Sequence, residues 1–388
     1  MATVTDSSAF TAVQTVDTQT LASAADVLAK IVQPLANRTR FLNDSLAIAA
    51  LSRWTLNTTT FSGASTDAIT HNASTGLWVI ADSGSGSSFY HASTLGSIYD
   101  AGGQASGASG DGGLATNGTG TILAGFGRST SSANRIYAVT DGGTLGEDGT
   151  AAFVALPASS TNPVRVFWTG SAFLAIEPAT RATYASTTGT SSWSTVTSVS
   201  VNHVPGVGCW ANNGAGSFVA STVDVVAGTG GSERIIYSEN NGTTWSTTTV
   251  PGTTQQVLGI CYNPDNATWY ACGVTSGAPQ IWSSTNLSSW SAVNPTFPGY
   301  TGVVAKPEFR RICVFRGLLV VSCVLPDTLG AGIMVSRNGG LTWFAVASIN
   351  ANDSYAGGIM LATANQIAIF SPSGGHLRNL AYTDPIGF

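Results

Sequence analysis

The carboxylates are the residues whose spacing is easiest to test for chemistry, because a suitably placed pair can hydrolyse a glycosidic bond. The chain has 388 residues, of which 20 are Asp or Glu. Glu177 and Asp224 each follow a strand-like apolar run and could line a pocket. Many of the others stand in turn-like contexts: Asp111, Asp141, Glu147, Asp148, Asp265 and Asp327. We therefore expect solvated loop carboxylates and no catalytic residue.

Other reactive or ligand-binding patterns are also missing from the sequence. The four histidines, His71, His91, His203 and His376, lie in separate segments without metal-ligand spacing. The loop DGGTLGED (141–148) lacks the alternating ligands of a calcium loop, and calcium stays open there only as an alternative. The glycine string SGASGDGG (106–113) has no Lys and no following helix to bind phosphate. The sequence predicts no metal and no cofactor.

Five cysteines lie inside apolar runs such as LGICY and RRICVF, and none belongs to a CxxC pair. This context predicts buried free thiols in strands. A disulfide between Cys261 and Cys272, across a hairpin, is the alternative.

The charge pattern restricts the possible partners. The formal net charge is −5, and Lys30 and Lys306 are the only lysines, so no basic patch can form and nucleic acid is not expected as a partner. No run approaches the roughly 18 apolar residues of a membrane span. The first residues, MATVTDSSAF, lack the basic and apolar regions of a signal peptide. We expect synthesis in a cytoplasm and no membrane span.

An eight-residue motif recurs along the chain. SENNGTTW (238–245) and SRNGGLTW (336–343) share Ser-x-Asn-x-Gly-x-Thr-Trp, and STTGTSSW (186–193) and SSTNLSSW (283–290) keep only the Ser-to-Trp spacing. Asn and Gly tolerate positive φ, Ser can bond the turn backbone, and Trp can cover the turn. The predicted turn residues are Ser186, Trp193, Ser238, Asn240, Gly242, Trp245, Ser283, Trp290, Ser336, Asn338, Gly340 and Trp343.

A second repeat precedes these turns. Seven segments read as an apolar run, a polar turn and another apolar run, which is the pattern of a β-hairpin. They are 68–81, 112–125, 164–176, 207–220, 258–273, 311–324 and 357–370. Their spacing of roughly 45 to 51 residues is the size of one four-stranded propeller blade.

The seventh hairpin lacks an outer strand, and the missing piece is found near the start of the chain. RWTLNTTTF (53–61) resembles the segment after the motif, TWSTTTVPG (244–252), and Trp54 aligns with the motif tryptophans. The sequence therefore predicts an all-β fold, a seven-bladed β-propeller of four-stranded blades. Strand 53–61 would close the ring in the last blade. Residues 53–388 would form the propeller and residues 1–52 a separate arm and helical segment.

Residues 1–52 carry a helical apolar stripe with steps of three and four residues. Its main members are Leu21, Leu28, Val32, Leu35, Leu42 and Leu46. Pro34 predicts two helices or one kinked helix. The helices could pack on their own propeller, or they could join copies of the chain into a homo-oligomer, with a trimer as one form. We favour the second interpretation because a closed propeller does not need them.

The complete motifs resemble the Asp-box, or bacterial-neuraminidase repeat, with Asn240 and Asn338 at the usual Asp position. That repeat occurs in sialidases, in other glycosidases and in non-enzymatic propellers, so it indicates a fold more than a function. A sialidase would also need three substrate-binding arginines, a Tyr/Glu pair and a Phe/Tyr-Arg-Ile-Pro motif. The nearest string is EFRRICVF (308–315), which lacks the Pro. We expect no sialidase activity.

QPLANRTRFLND (33–44) is similar to short helical segments near the N-termini of tailed-bacteriophage fibre and virion proteins. This resemblance implies a non-enzymatic structural component of a virion: a tail fibre, a tail-associated protein or a capsid-decoration protein. Its propeller would act in adhesion or decoration, and its partners would be other copies, other virion proteins and a host-surface glycan. The alternative is a carbohydrate-active enzyme or a glycan-binding propeller of sialidase-like fold. Clustered carboxylates at the propeller mouth would favour the enzyme, whereas exposed aromatic residues with Asn or Ser would favour binding.

Overall fold

The computed structural model describes residues 33–57, 66–82, 88–95, 99–104, 108–109, 113–128, 135–139, 153–157, 164–196, 199, 203–224, 234–252, 255–300, 306–326, 330–350, 359–370 and 380–383. An α-helix, α1 (Gln33–Leu51), and a strand, β1 (Trp54–Asn57), come first. Within these ranges, no helix is long and apolar enough to cross a membrane.

The other strands form seven consecutive groups, which we call blades one to seven. Blade one contains β2 (Thr66–Asn72), β3 (Leu77–Asp82), β4 (Ser88–Ala92) and β5 (Tyr99–Gln104). Blade two contains β6 (Ala108–Ser109), β7 (Leu114–Thr116), β8 (Ile122–Arg128), β9 (Arg135–Val139) and β10 (Phe153–Ala155). Blade three contains β11 (Arg165–Trp168), β12 (Phe173–Ile176), β13 (Thr183–Ser186) and β14 (Ser194–Val196). Blades four and five contain β15 (His203–Asn212), β16 (Phe218–Asp224), β17 (Arg234–Ser238) and β18 (Ser246–Thr249); and β19 (Gln255–Asn263), β20 (Thr268–Thr275), β21 (Ala278–Ser284) and β22 (Ser291–Val293). Blades six and seven contain β23 (Glu308–Phe315), β24 (Leu318–Val324), β25 (Ala331–Ser336) and β26 (Phe344–Asn350); and β27 (Ile359–Ala362), β28 (Ile367–Phe370) and β29 (Leu380–Thr383).

Each blade is an antiparallel meander in which strands that follow one another in sequence lie side by side. Blade two differs slightly, because β6 and β7 both pair with β8, β6 at residues 127–128 and β7 at residues 122–124. They occupy successive parts of one edge, so this sheet is also four strands wide. Short strands and tight turns are what the Thr-, Val- and Gly-rich sequence favours.

The first strand of each blade lies on the inside of a ring. One run of inner-strand contacts joins β2, β7 and β11, and a second run joins β15, β19, β23, β27 and β2. Blades three and four meet through Phe167 and Phe218, whose ring centroids are 5.2 Å apart. Both side chains are fully buried, and burying one phenylalanine stabilises a fold by about 1.5–3 kcal/mol. The seven blades therefore form a closed β-propeller, which confirms the predicted fold class.

Blade seven is completed by β1. This strand pairs antiparallel with β29 from Trp54 opposite Thr383 to Asn57 opposite Leu380, and the sheet order is β1-β29-β28-β27. The predicted closing strand, 53–61, is thus observed over residues 54–57, and residues 58–61 lie outside the described ranges. A ring closed by the two ends of the propeller leaves no unpaired edge at the seam.

Helix α1 packs on the propeller with one side only. Ala47 and Leu51 are fully buried, in an apolar cluster with side chains of blades six and seven. The Asp44 carboxylate lies 3.9 Å from the Arg337 guanidinium of blade six. Pro34 stands in the first turn of α1, where its missing N–H breaks no helical bond.

Three of the six residues predicted to form the helical stripe can be placed. Leu35, Leu42 and Leu46 lie on α1 and are 49%, 51% and 47% exposed. Because a helix turns by about 100° per residue, spacings of seven and four residues put them on one side, opposite Asp44 and Leu51. Leu21, Leu28 and Val32 lie outside the described residues.

The five cysteines, Cys209, Cys261, Cys272, Cys313 and Cys323, are free and buried. The alternative disulfide is excluded by register, because Cys261 lies opposite Tyr270 and Cys272 lies opposite Gly259. Burial raises the pKa of the Cys261, Cys272 and Cys313 thiols, so these side chains are apolar packing groups.

Candidate functional site

The repeated motif forms the turn between the third and fourth strands of blades four and six. In blade four, Ser238 Oγ accepts hydrogen bonds from the backbone N–H groups of Asn240 (3.3 Å) and Gly242 (2.8 Å). Asn240 Oδ1 accepts from the Thr244 N–H at 2.8 Å, and Asn240 Nδ2 donates to Thr244 Oγ1 at 2.9 Å. The two side chains thus satisfy three backbone donors of the turn, without any role for a bound group.

Blade six repeats this arrangement with the same residue types. Ser336 Oγ accepts from the Asn338 and Gly340 N–H groups at 3.4 and 3.0 Å. Asn338 Oδ1 accepts from the Thr342 N–H at 2.9 Å. Trp343 Nε1 donates to the Gly340 carbonyl at 2.8 Å, and its ring is fully buried.

The glycines of the motif are required by conformation and by space. Gly242 and Gly340 have φ of +79° and +88°, in the left-handed region. A Cβ on Gly242 would lie 2.6 Å from Leu174 Cδ2 of blade three, and one on Gly340 would lie 3.0 Å from Ile281 Cγ2 of blade five. The motif turn is therefore also a contact point between neighbouring blades.

The two incomplete motifs keep the serine contact in a shorter form. In blade three, Ser186 Oγ accepts from the Gly189 N–H at 2.9 Å, and Trp193 Nε1 donates to the Gly189 carbonyl at 3.0 Å. In blade five, the serine in this position is Ser284 and not the predicted Ser283, since Ser284 Oγ accepts from the Leu287 N–H at 2.9 Å.

The displacement in blade five has a simple cause. The turn from Ser284 to Trp290 is one residue shorter than the turn from Ser238 to Trp245, and Trp290 Nε1 donates to the Leu287 carbonyl at 3.1 Å. The doublet Ser283-Ser284 offered two possible starts, and the chain uses the buried one.

Trp54 behaves like a motif tryptophan although α1 precedes it. Its Nε1 donates to the Leu51 carbonyl at 2.8 Å, as the other indoles donate to carbonyls of their turns. Trp245 is the exception, because its buried Nε1 has no hydrogen-bond partner among the described residues.

The string EFRRICVF is strand β23 and is used structurally. Arg310 pairs with Glu308 at 2.8 Å on the surface. Arg311 Nη1 donates to the Leu258 carbonyl of blade five at 2.5 Å. The two guanidinium groups thus bind protein oxygens.

The predicted carboxylates are dispersed. Glu177 is only 2% exposed, so the expectation of a solvated side chain was wrong for this residue. Its backbone bonds to Arg181 and Ala182 hold it in a tight turn that sequence alone does not indicate. Asp265 is exposed in a hairpin turn, and loop 141–148 lies outside the described ranges. Within the described residues, no three His, Cys, Asp or Glu side chains are grouped to hold a metal ion.

The inner-hairpin turns and the motif turns lie on one side of the ring, which we call the motif face. In blade four, the Asn241 N–H donates to the Gly216 carbonyl at 2.9 Å, and Asn241 Oδ1 accepts from Thr169 Oγ1 of blade three at 2.6 Å. Motif turns therefore stand beside the hairpin turns of their own and the preceding blade.

A cavity of 470 Å³ opens on the motif face, at the mouth of the central channel. We call it the mouth cavity. Three aromatic side chains, His71, Trp168 and Trp210, line it together with Asn212 and Asn365. A narrower space of 330 Å³, lined by inner strands of blades one and four to seven, continues it along the channel. No Asp or Glu belongs to the described lining of either space.

The aromatic side chains of the mouth cavity are held from behind. His71 packs on Trp78 at 4.6 Å and Trp168 packs on Phe173 at 4.6 Å, in each case across the inner hairpin. Burial lowers the pKa of His71, partly opposed by its backbone hydrogen bond with Gly76, so its imidazole is neutral at pH 7. These aromatic residues were not among those predicted from the sequence to form a site. The available signal was an aromatic residue just before the hairpin turn in several repeats.

A third cavity, of 590 Å³, separates α1 from blades five and six. Its charged lining residues are Arg40, Asp44, Asp265, Arg316 and Arg337. Burial raises the pKa of Asp44, although the nearby Arg337 and Arg40 act in the opposite direction. Charged side chains therefore line this cavity, whereas none belongs to the described lining of the mouth cavity.

Comparisons with known proteins identify the architecture and nothing finer. No protein-family model matches the chain, and no curated protein matches its sequence. Among similar solved structures is YCF48 from Cyanidioschyzon merolae, with a TM-score of 0.54 and 9% identity, over 85% of this chain and 98% of that one. Another is the GH74 xyloglucanase from Xanthomonas campestris, with a TM-score of 0.50 and 14% identity, over 83% of this chain and 52% of that one. At these identities the likeness concerns the fold alone.

Proposed function

We propose that the protein is a non-enzymatic structural component of a tailed-bacteriophage virion. Helix α1 joins copies of the chain or attaches them to the particle, and the propeller serves as an adhesion or decoration module. The observation that carries this proposal is the leucine face of α1, formed by Leu35, Leu42 and Leu46, each about half exposed. The opposite side of the helix is buried against blades six and seven.

The leucine face is suited to association between helices. Steps of seven and four residues are those of a coiled-coil seam, which buries leucines between two or more helices. The predicted stripe continues the same spacing upstream through Leu21, Leu28 and Val32. Burying a leucine fully contributes about 1.5–3 kcal/mol, so three of them in each copy can stabilise an oligomer. The described part of the propeller leaves Leu35, Leu42 and Leu46 about half exposed.

The virion part of the proposal rests on sequence resemblance. The segment similar to phage fibre and virion proteins, residues 33–44, forms the first 12 of the 19 residues of α1 and contributes Leu35 and Leu42 to the leucine face. The Asp-box-like turns stabilise blades through their own hydrogen bonds, as they would in a non-enzymatic propeller. The proposed location is therefore the virion, with other virion proteins as partners.

A carbohydrate-active enzyme is the second candidate. One similar structure is a xyloglucanase, and Asp44 and Asp265 line the same cavity beside α1. A glycosidase needs two carboxylates on either side of the sugar bond. Asp44, however, is paired with Arg337, and the mouth cavity contains no described carboxylate. These features favour the non-enzymatic proposal.

Light scattering after gel filtration tests the assembly role. The full chain should have the mass of an oligomer, and Leu42→Glu should reduce it to a monomer because a carboxylate cannot be buried in the seam. Leu341→Glu is the matched control, since Leu341 is 53% exposed but lies in the motif turn of blade six. A monomeric full chain, or equal effects of both variants, would contradict association between copies through the leucine face. Labelling of purified particles of the producing phage with an antibody to the propeller tests the location.

A further inference from the structure

We propose that the mouth cavity on the motif face binds an uncharged saccharide. This inference rests on the proposed adhesion role and names the site and the ligand class. It concerns the side of the ring that carries the hairpin turns and motif turns. A volume of 470 Å³ is within the range of ligand pockets, about 300–1,000 Å³, and suits a mono- or disaccharide.

Two indole side chains that line the cavity are held in place by other aromatic rings. Trp168 and Trp210 are half-buried and line the cavity from blades three and four. Trp168 packs on Phe173 at 4.6 Å, and Trp210 packs on Phe167 and Phe218 at 5.7 and 5.8 Å. Rings already fixed by other rings lose little conformational freedom when a ligand stacks on them. The apolar C–H face of a pyranose ring is a ligand surface that such indoles can cover.

Neutral hydrogen-bonding groups line the cavity together with the indoles. Asn212 Oδ1 accepts from the Gly214 N–H at 2.9 Å, and Asn365 Oδ1 accepts from Arg316 Nη2 at 3.3 Å. These bonds fix the orientation of both amides. Among the described residues, nothing accepts a hydrogen bond from Asn212 Nδ2, Asn365 Nδ2 or the Nε1 atoms of Trp168 and Trp210. Four neutral donors beside an apolar surface match the hydroxyl groups at the edge of a sugar ring.

No Lys, Arg, Asp or Glu belongs to the described lining of the cavity, and His71 is neutral at pH 7. The Arg316 guanidinium near the cavity is bound by the Ala364 carbonyl and Asn365 Oδ1 and does not itself belong to the lining. Burying a carboxylate or phosphate without a cationic partner is unfavourable. A sialic acid, a uronic acid or a nucleotide therefore fits poorly. An uncharged sugar presents the apolar face and the hydroxyls without that penalty.

Saturation-transfer NMR on the full chain tests the inference. The probes are lactose, maltose, cellobiose and chitobiose, with sialyllactose as the charged counterpart of lactose, each at about 10 mM to detect a Kd of order millimolar. At least one neutral disaccharide should receive saturation, and lactose should receive more than sialyllactose. Trp168→Ala should weaken binding by about fivefold, the effect of losing one aromatic stacking contact.

A second pair of variants avoids removing any packing contact. Ala73 is exposed on the rim of the cavity, and Ala73→Trp should fill it and abolish binding. Ala215 is exposed in the equivalent turn of blade four but does not line the cavity, so Ala215→Trp should leave binding unchanged. Thermal unfolding of each variant shows whether the fold is intact.

The possible outcomes separate this inference from the proposed function. No saturation of any probe, binding that Ala73→Trp leaves unchanged, or preference for sialyllactose overturns the saccharide inference and leaves the oligomer result untouched. Sugar binding by a chain that is monomeric and absent from phage particles overturns the proposed function instead. Cleavage of a bound disaccharide supports the site but contradicts the non-enzymatic assignment.

Discussion

Replacing Gly242 by alanine should reveal how much stability depends on the close approach of a motif turn to the preceding blade. Gly242 has φ of +79°, and an added Cβ would lie 2.6 Å from Leu174 Cδ2. Gly277 has the same φ of +79°, but nothing lies within 4 Å of an added Cβ. Gly277→Ala is therefore a control that shares the backbone term and lacks the steric term.

The expected magnitudes follow from these two terms. A left-handed alanine is strained by about 1–2 kcal/mol, and both variants gain about 0.4–1 kcal/mol from restriction of the unfolded chain. Gly277→Ala should thus lower the free energy of unfolding by about 1 kcal/mol. Gly242→Ala should lower it by a further ~1–3 kcal/mol, the typical effect of overpacking a filled site.

Urea denaturation followed by tryptophan fluorescence measures both values, with a change in the midpoint at constant slope reporting stability. Adding Leu174→Ala should remove the extra loss in Gly242→Ala, because the clashing methyl group is then absent. Equal destabilisation by Gly242→Ala and Gly277→Ala, or no coupling to Leu174, would refute the interblade argument.

Three further outcomes are expected. Trp54→Phe should lower the melting temperature by about 1–2 °C, since it removes the hydrogen bond to Leu51, worth about 0.5–1.5 kcal/mol; an unchanged melting temperature would contradict this role. Desolvation raises the pKa of Asp44, so the folded state favours its protonated form, and the group's contribution to stability falls as pH rises from its ordinary pKa to its raised one. Asp44→Asn should therefore gain stability relative to wild type as pH rises above the ordinary carboxyl pKa of about 3.9; the opposite trend in urea midpoints would show that attraction to Arg337 dominates. The five buried thiols should not react with Ellman's reagent in the native protein and should all react in denaturant; rapid reaction of any of them in the native state would contradict their burial.

The architecture could be predicted from the sequence because its signals are local and repeated. A hairpin turn or a Ser-to-Trp motif is stabilised by residues within eight positions of one another, so each copy can be recognised in the sequence by itself. The split blade followed from Trp54, which occurs in the sequence context of the motif tryptophans.

What escaped prediction depends on residues that are far apart in sequence. Trp168 and Trp210 belong to different blades and share a cavity only because the ring brings inner hairpins together. The burial of Glu177 depends on how its turn packs. Which serine of the doublet Ser283-Ser284 bonds the turn backbone depends on the length of the turn, and the incomplete motif does not indicate that length. The helical stripe could be recognised from its spacing, but the spacing does not show which side of α1 faces the propeller.

The pairing of β1 with β29 also imposes an order on synthesis. Trp54 leaves the ribosome early, yet its partner Thr383 follows more than three hundred residues later. Until then the last blade cannot form, and the surface that receives Ala47 and Leu51 is incomplete, because their cluster includes Ile367 and Ile369. A prematurely terminated chain therefore lacks the blade-seven part of the surface on which α1 packs. The seam pairing thus couples the docking of α1 to completion of the last blade, and under the proposed assembly role it would restrict association to chains that have completed the ring.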